Sequence, residues 1–185
     1  MRGLLNGTVL RQGEGKMERI AVFERVSFGE FSKGFQACFP ESDAASAYES
    51  ICLPRRATAG SAGYDFFLPA DISLSPGEGV KVPTGIRARM DEGWALMLFP
   101  RSGLGFKYRL QLDNTVGVVD SDYYDADNEG HIFIKLTNDS REGRVLTLKA
   151  GEAFAQGIFL PFGITEDDAA NAGRTGGFGS TSGKG

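Results

Sequence analysis

The sequence predicts an all-β fold, and three observations predict it. Short β-branched or alternating apolar runs recur from residue 60 onward, at intervals of about ten residues. Each run is closed by turn residues such as Pro76-Gly77, Pro83 or Pro100. No long helical pattern interrupts them, which excludes a doubly wound α/β architecture. The chain has 185 residues, 41% of them hydrophobic and 24% charged, enough for one domain with a real core. Its 26 glycines are roughly double the usual share of about 7%. Fourteen phenylalanines argue against disorder as the reason, so the glycines are assigned to tight turns and close backbone approaches.

Taken in order, Ile20 to Val26 reads as the first strand. Ser27-Phe28-Gly29-Glu30 has the spacing of a capping box. Phe28, Phe31 and Phe35 follow at helical intervals, and Pro40 ends that helix. Ser42 is expected to cap a second helix carrying Ala44, Ala47, Tyr48 and Ile51, closed by Pro54. Residues 27–52 therefore form a short helical segment whose apolar face packs on a core. Later strands are expected at Ile72 to Leu74, Val80 to Val82, Trp94 to Phe99, Ile132 to Leu136, Val145 to Leu148 and Phe154 to Leu160. Residues 1–16, ahead of Met17, read as a tail or upstream start, and residues 17–172 as a single β domain. Residues 173–185 hold six glycines in thirteen positions and read as a flexible tail.

Charge and cysteine usage exclude several classes. A net charge of −4 and a pI of about 5.1 disfavour a general nucleic-acid binder, which would be basic. One histidine, His131, and no CxxC pair argue against a zinc site. His131 lies in an alternating strand and reads as structural. Cys38 and Cys52 make no disulfide framework, no apolar run reaches membrane length, and residues 1–16 lack a secretory core. The expected setting is cytoplasmic.

Five segments stand out chemically: Ala62-Gly63-Tyr64-Asp65; Pro100 to Gly105; Asn114 to Tyr123; Gly151 to Gln156; and Arg174 to Thr181. Read singly, each has a plain alternative. Asp65 suits a turn. Arg101-Ser102-Gly103 suits either a solvated loop or an anion site. Asp120, after two valines, is either a turn former or a general base. Tyr123 suits core packing. Gln156 in an apolar strand needs polar partners. Phe178 among glycines has no core of its own to join and is expected to land on something else, such as a ligand.

As an ordered set over roughly residues 53–181, the five segments resemble the motifs of the trimeric dUTPase family, the dUTP nucleotidohydrolases. The most specific are Pro100-Arg101-Ser102-Gly103, Gly117-Val118-Val119-Asp120-Ser121-Asp122-Tyr123 and Gly176-Gly177-Phe178-Gly179-Ser180-Thr181. The resemblance implies a jelly-roll or distorted β-barrel subunit in a homotrimer with shared active sites. It implies hydrolysis of dUTP to dUMP and pyrophosphate, limiting uracil in DNA and supplying dUMP for thymidylate synthesis. Asp120 would hold and deprotonate the water attacking the α-phosphorus, and Gln156 would contact the α-phosphate or that water. Mg²⁺ would travel with the triphosphate, with Asp65 acting through water. Arg101 and Ser102 would contact phosphate oxygens, and Gly103 would allow close approach. A hairpin carrying Asn114, Gly117 and Val119 would read uracil, and Tyr123 would pack on the deoxyribose. In the tail, Phe178 and Gly179 would cover the base while Arg174, Ser180 and Thr181 clamp the γ-phosphate.

Relative to the family pattern, residues 27–52 look like an extra helical N-terminal insertion; Tyr123-Tyr124-Asp125 stands where Tyr-Arg-Gly is common, implying a longer acidic turn through Gly130; and Glu152 and Ala153 stand where Asp and Arg are common. Two alternatives use the same fold. One is a dCTP deaminase-type enzyme. The other is a regulatory protein-binding module, with its surface at residues 27–52 and 124–130.

Overall fold

The computed structural model describes residues 17–170. Strand β1 (Ala21–Arg25) leads into helix α1 (Phe28–Cys38) and helix α2 (Ala44–Glu49). Strands β2 (Arg55–Arg56), β3 (Tyr64–Phe67), β4 (Ile72–Leu74), β5 (Gly79–Pro83), β6 (Ile86–Met90) and β7 (Trp94–Pro100) follow. Helix α3 (Ser102–Tyr108) then precedes β8 (Leu110–Leu112) and β9 (Gly117–Val119). A 3-10 helix (Ser121–Asp125) leads to β10 (Phe133–Asn138), β11 (Leu146–Leu148) and β12 (Ala153–Pro161).

Every strand pair is antiparallel. The strands sort into four ladders: β2-β3-β12-β7-β9, β5-β10-β8, β4-β11 and β1-β6. Such short, strongly sorted ladders are what a jelly-roll architecture makes of alternating sequence. The inward positions of β6, β7, β10 and β12 meet in one core that includes Phe66, Leu96, Leu98, Ile134, Leu136 and Phe154. Alternation in β10 is clean: Ile134 and Leu136 are buried while Lys135 between them is exposed.

The helical insertion forms its own small core. Phe31 and Phe35 of α1 are fully buried, and they pack with Val26, Ala44 and Ala47. Gly85 (φ +71°) lets this unit dock, because a side chain there would collide with Ile51 and Phe31. Ser27 caps α1 as expected, accepting from the Glu30 amide at 3.2 Å. The second cap differs from expectation: Asp43, not Ser42, accepts from the Ala45 and Ser46 amides of α2. A carboxylate one residue nearer the helix reaches both orphan donors.

Two further differences concern the loops. The segment after Pro100, read as a loop, is helix α3, although Gly103 and Gly105 lower its intrinsic propensity. Its capping residue Arg109 is left-handed (φ +51°), with its amide on the Gly105 carbonyl at 2.8 Å. The Asn114 region is not a paired hairpin. Strand β8 pairs with β10 and β9 pairs with β7, so the turn at Asp113–Val116 bridges two sheets.

Candidate active site

Strand register builds one end of the site. In the ladder β3-β12-β7, Gln156 lies opposite both Asp65 and Phe99. Arg101 follows β7 directly, and its guanidinium Nε is 3.1 Å from Asp65 Oδ1. The Gln156 amide donates to the Pro100 carbonyl at 3.3 Å. Asp65, Arg101 and Gln156 thus converge from three adjacent strands, with Ser102 exposed at the start of α3. Gly63 lies in the first of the five segments. Here its immediate role is internal: a Cβ would sit 2.5 Å from Gln156 Oε1. Gly103 has open space around it.

The second end lies along the same β7, where β9 runs antiparallel with Leu98 opposite Gly117 and Leu96 opposite Val119. Gly117 is required by packing, since a Cβ would meet Leu98 Cβ at 3.0 Å. A pocket of about 430 Å³ opens here, lined by Asn114, Gly117, Val119, Leu98, Lys81 and Phe133, among others. Three expected base-binding residues therefore share one cavity. Asn114 and Val118 are exposed, and Thr115 holds the turn with φ +67°. Lys135 pairs with Asp113 at 2.7 Å. The Lys135 and Thr137 hydrogen bonds hold the Asp113 carboxyl below its usual range. A larger cavity, about 740 Å³, lies beside Phe23, Tyr64, Trp94 and Phe159 and contains none of the expected site residues.

Asp120 follows β9 and is exposed. Tyr123, three residues on, is buried in the main core, and its hydroxyl donates to the His131 carbonyl at 2.8 Å. Asn128 Nδ2 donates to the same hydroxyl at 2.7 Å. The Tyr123 side chain is thus anchored within the chain.

Asp120 and Arg101 do not meet in one chain. Asp120 continues β9 past the Leu96 register, whereas Arg101 lies past Pro100 at the other end of β7. Six residues of strand separate those levels, about 20 Å at ~3.3 Å per residue. Arg174, Phe178, Gly179, Ser180 and Thr181 lie outside the described residues.

Sequence reasoning missed the pocket residues Lys81, Phe133 and Lys135. Their signal was present in β10: a phenylalanine and a lysine on the face opposite the Ile134 and Leu136 alternation. It also missed a polar junction. His131 is fully buried, and its Nε2 accepts from the Gly85 amide at 2.9 Å. That acceptor role puts the neutral ring's proton on Nδ1, which lies 3.5 Å from Glu30 Oε1. Burial pulls the imidazole down to about 4 and pushes the Glu30 carboxyl up.

No group of three or more His, Cys, Asp or Glu that could hold a metal ion occurs among the described residues. Among those residues no helix is long and apolar enough to cross a membrane.

Comparison with known proteins identifies the family and its fold. A family model described as dUTPase matches residues 49–182, so β1, α1 and nearly all of α2 precede it. The deoxyuridine 5'-triphosphate nucleotidohydrolase of Lactococcus lactis subsp. lactis is 43% identical over 134 residues, covering 71% of this chain and 88% of that protein. The protein of that name from Azoarcus sp. is 40% identical over 136 residues, covering 69% and 87%. The dUTPase of Streptococcus mutans, a solved structure, has a TM-score of 0.58 at 37% identity, over 78% of this chain and 98% of that one. The dUTPase from phage phi11 of S. aureus, at 22% identity and a TM-score of 0.55 over 67% and 92%, shares the fold.

Proposed function

The chain belongs to the dUTPase family and is a dUTP diphosphatase; from that premise we propose how its residues divide the reaction. Water attacks the α-phosphorus of dUTP, the bond to the bridging oxygen breaks, and dUMP and pyrophosphate leave. Asp120 holds that water and takes its proton. A carboxylate fixed at a strand end supplies the positioning that phosphoryl transfer depends on. Arg101 and Ser102 neutralise and hold phosphate oxygens, and Gln156 contacts the α-phosphate or the water.

The pocket beside Gly117 takes the nucleoside. Main-chain groups of the Asn114–Val119 segment, with the Asn114 amide, match the donor and acceptor edge of uracil. Leaving such groups unpaired against cytosine costs about 1–3 kcal/mol each. Tyr123, with its hydroxyl anchored at His131, excludes a 2′-hydroxyl. Phe178 and Gly179 of the tail cover the base, and Arg174, Ser180 and Thr181 hold the γ-phosphate. Truncation after Ala172 is expected to remove most activity while leaving the assembly intact.

The observation that carries this reading is the division of the site along β7. Asp120 lies past the Leu96 level of β7 and the phosphate groups past Pro100, with the nucleoside pocket on the other side of the strand at the Leu98 level. A homotrimer that brings the Asp120 end of one subunit to the Arg101 end of its neighbour completes three sites. Exposed Phe106, 93% accessible, and Val118 are apolar surfaces suited to such contacts.

Mg²⁺ carried by the triphosphate would be faced by Asp65, the carboxylate at the phosphate end, which would act on it through water. When bound there it supplies charge neutralisation on the phosphate oxygens. Cys38 and Cys52 remain thiols, in keeping with a cytoplasmic setting. Pyrophosphate release measured across dUTP, dCTP, dTTP and UTP tests the assignment. Release from dUTP alone is expected. Ammonia from dCTP would support the deaminase alternative, and orthophosphate from dUTP would place the attack elsewhere.

A further inference from the structure

The insertion and the longer turn after Tyr123, both departures from the family pattern, meet each other behind Phe133, a wall of the nucleoside pocket. Glu30 occupies the capping-box position that should reach back to the Ser27 amide. It does not. Glu129 takes that amide at 2.7 Å and the Ser27 hydroxyl at 2.6 Å, from a left-handed backbone (φ +58°). Glu30 turns to His131 instead. His131 in turn accepts the Tyr123 hydroxyl on its carbonyl and stacks its ring 4.2 Å from Phe133. Phe133 is a wall of the 430 Å³ pocket. Helix α1 presses on that wall directly: a Cβ at Gly34 would lie 2.8 Å from Phe133 Cζ.

We propose that the insertion is a buttress for the nucleoside pocket, with Gly34 and Glu129 as positioning residues acting through Phe133 and Tyr123. Helix α1 sets where the Phe133 ring stands, and the Ser27–Glu129 clamp fixes the turn that follows Tyr123. This rests on the nucleoside assignment above.

The test uses the full chain, with dUMP binding by calorimetry, dUTP kinetics and thermal melting read together. Gly34→Ala improves helix propensity by about 1 kcal/mol but sets a methyl group against Phe133, so a merely structural α1 predicts a changed Tm with unchanged dUMP binding. The buttress predicts weaker dUMP binding by about tenfold, with KM raised and kcat changed less than about twofold. Adding Phe133→Leu to G34A should return affinity toward wild type by making room for the methyl group. Glu129→Ala should also weaken dUMP binding. Glu129→Gln should restore it, since an amide keeps an acceptor for the Ser27 amide. Unchanged dUMP affinity in both G34A and E129A would overturn the buttress. Wild-type protein that binds dUMP without turning over dUTP would instead overturn the reaction assigned above, while the same titrations would still decide the buttress. Wild type that binds no dUMP would overturn both.

Discussion

The Arg101 and Gly117 regions, on either side of β7, are built on opposite principles. At the Arg101 end, polar side chains from β3, β12 and the β7 terminus bond one another across a flat ladder, and the geometry is set by register alone. At the Gly117 end the groups surround a cavity, and its shape depends on packing from elements far away in sequence, α1 and the turn before β10. The first end suits charge, which any triphosphate offers. The second suits shape, which distinguishes one base and sugar from another. Chemistry needs both, and one chain holds them on opposite sides of β7, with Asp120 about 20 Å along the strand from Arg101.

The sharpest break of that contrast is Asp120→Asn. It should lower kcat by about a thousandfold, the scale of a lost general base, while dUMP still binds at the intact pocket. Single-turnover pyrophosphate release and calorimetry read the two separately. Arg101→Ala comes next, with kcat/KM down about a hundredfold. Its loss should be felt for every nucleotide that carries phosphates, and it should leave base discrimination unchanged.

Gly117→Ala acts on the shape end. The added methyl group meets Leu98 at 3.0 Å, and overpacking of this kind costs about 1–3 kcal/mol. The Tm should fall by several degrees, and discrimination between dUTP and dCTP should shrink. The smallest effect is the pH response of the buttress. His131 is held neutral in the fold, titrating near 4 rather than 6.5. The unfolded chain therefore takes up a proton that the folded chain refuses between those values. Stability is complete above pH 6.5 and falls as pH drops toward 4, by at most about 3 kcal/mol from this group. The raised Glu30 carboxyl works in the opposite direction, and the charges of Glu129 and Lys81 also bear on the ring. Melting curves at pH 7.5 and 5 should show a lower Tm at pH 5, by a few degrees.

The register end was largely legible in the sequence. Strands at Trp94 to Phe99 and Phe154 to Leu160 announce themselves by composition, and Arg101 falls just past the first and Gln156 within the second. Local signals also placed α1, through Ser27 and the Phe31–Phe35 spacing. The junction of the insertion with the pocket was not legible, because Glu129 and Ser27 are 102 residues apart. A capping box looks complete in sequence, and only tertiary competition sends Glu30 to His131. Helix α3 was hidden for a different reason: two glycines masked a helix that tertiary context nevertheless forms. The asparagine turn looked like a hairpin because pairing partners cannot be read from turn residues alone.

The division of the site between neighbouring subunits is tested most directly by complementation. Asp120→Asn and Arg101→Ala protomers, each inactive alone, are unfolded together in equal amounts and reassembled. Each mixed trimer then contains sites in which an intact Arg101 end faces an intact Asp120 end. Random assortment restores about a quarter of the sites, so the mixture should regain about a quarter of wild-type turnover. A mixture no more active than either parent would show that one chain supplies both ends, and would contradict the account.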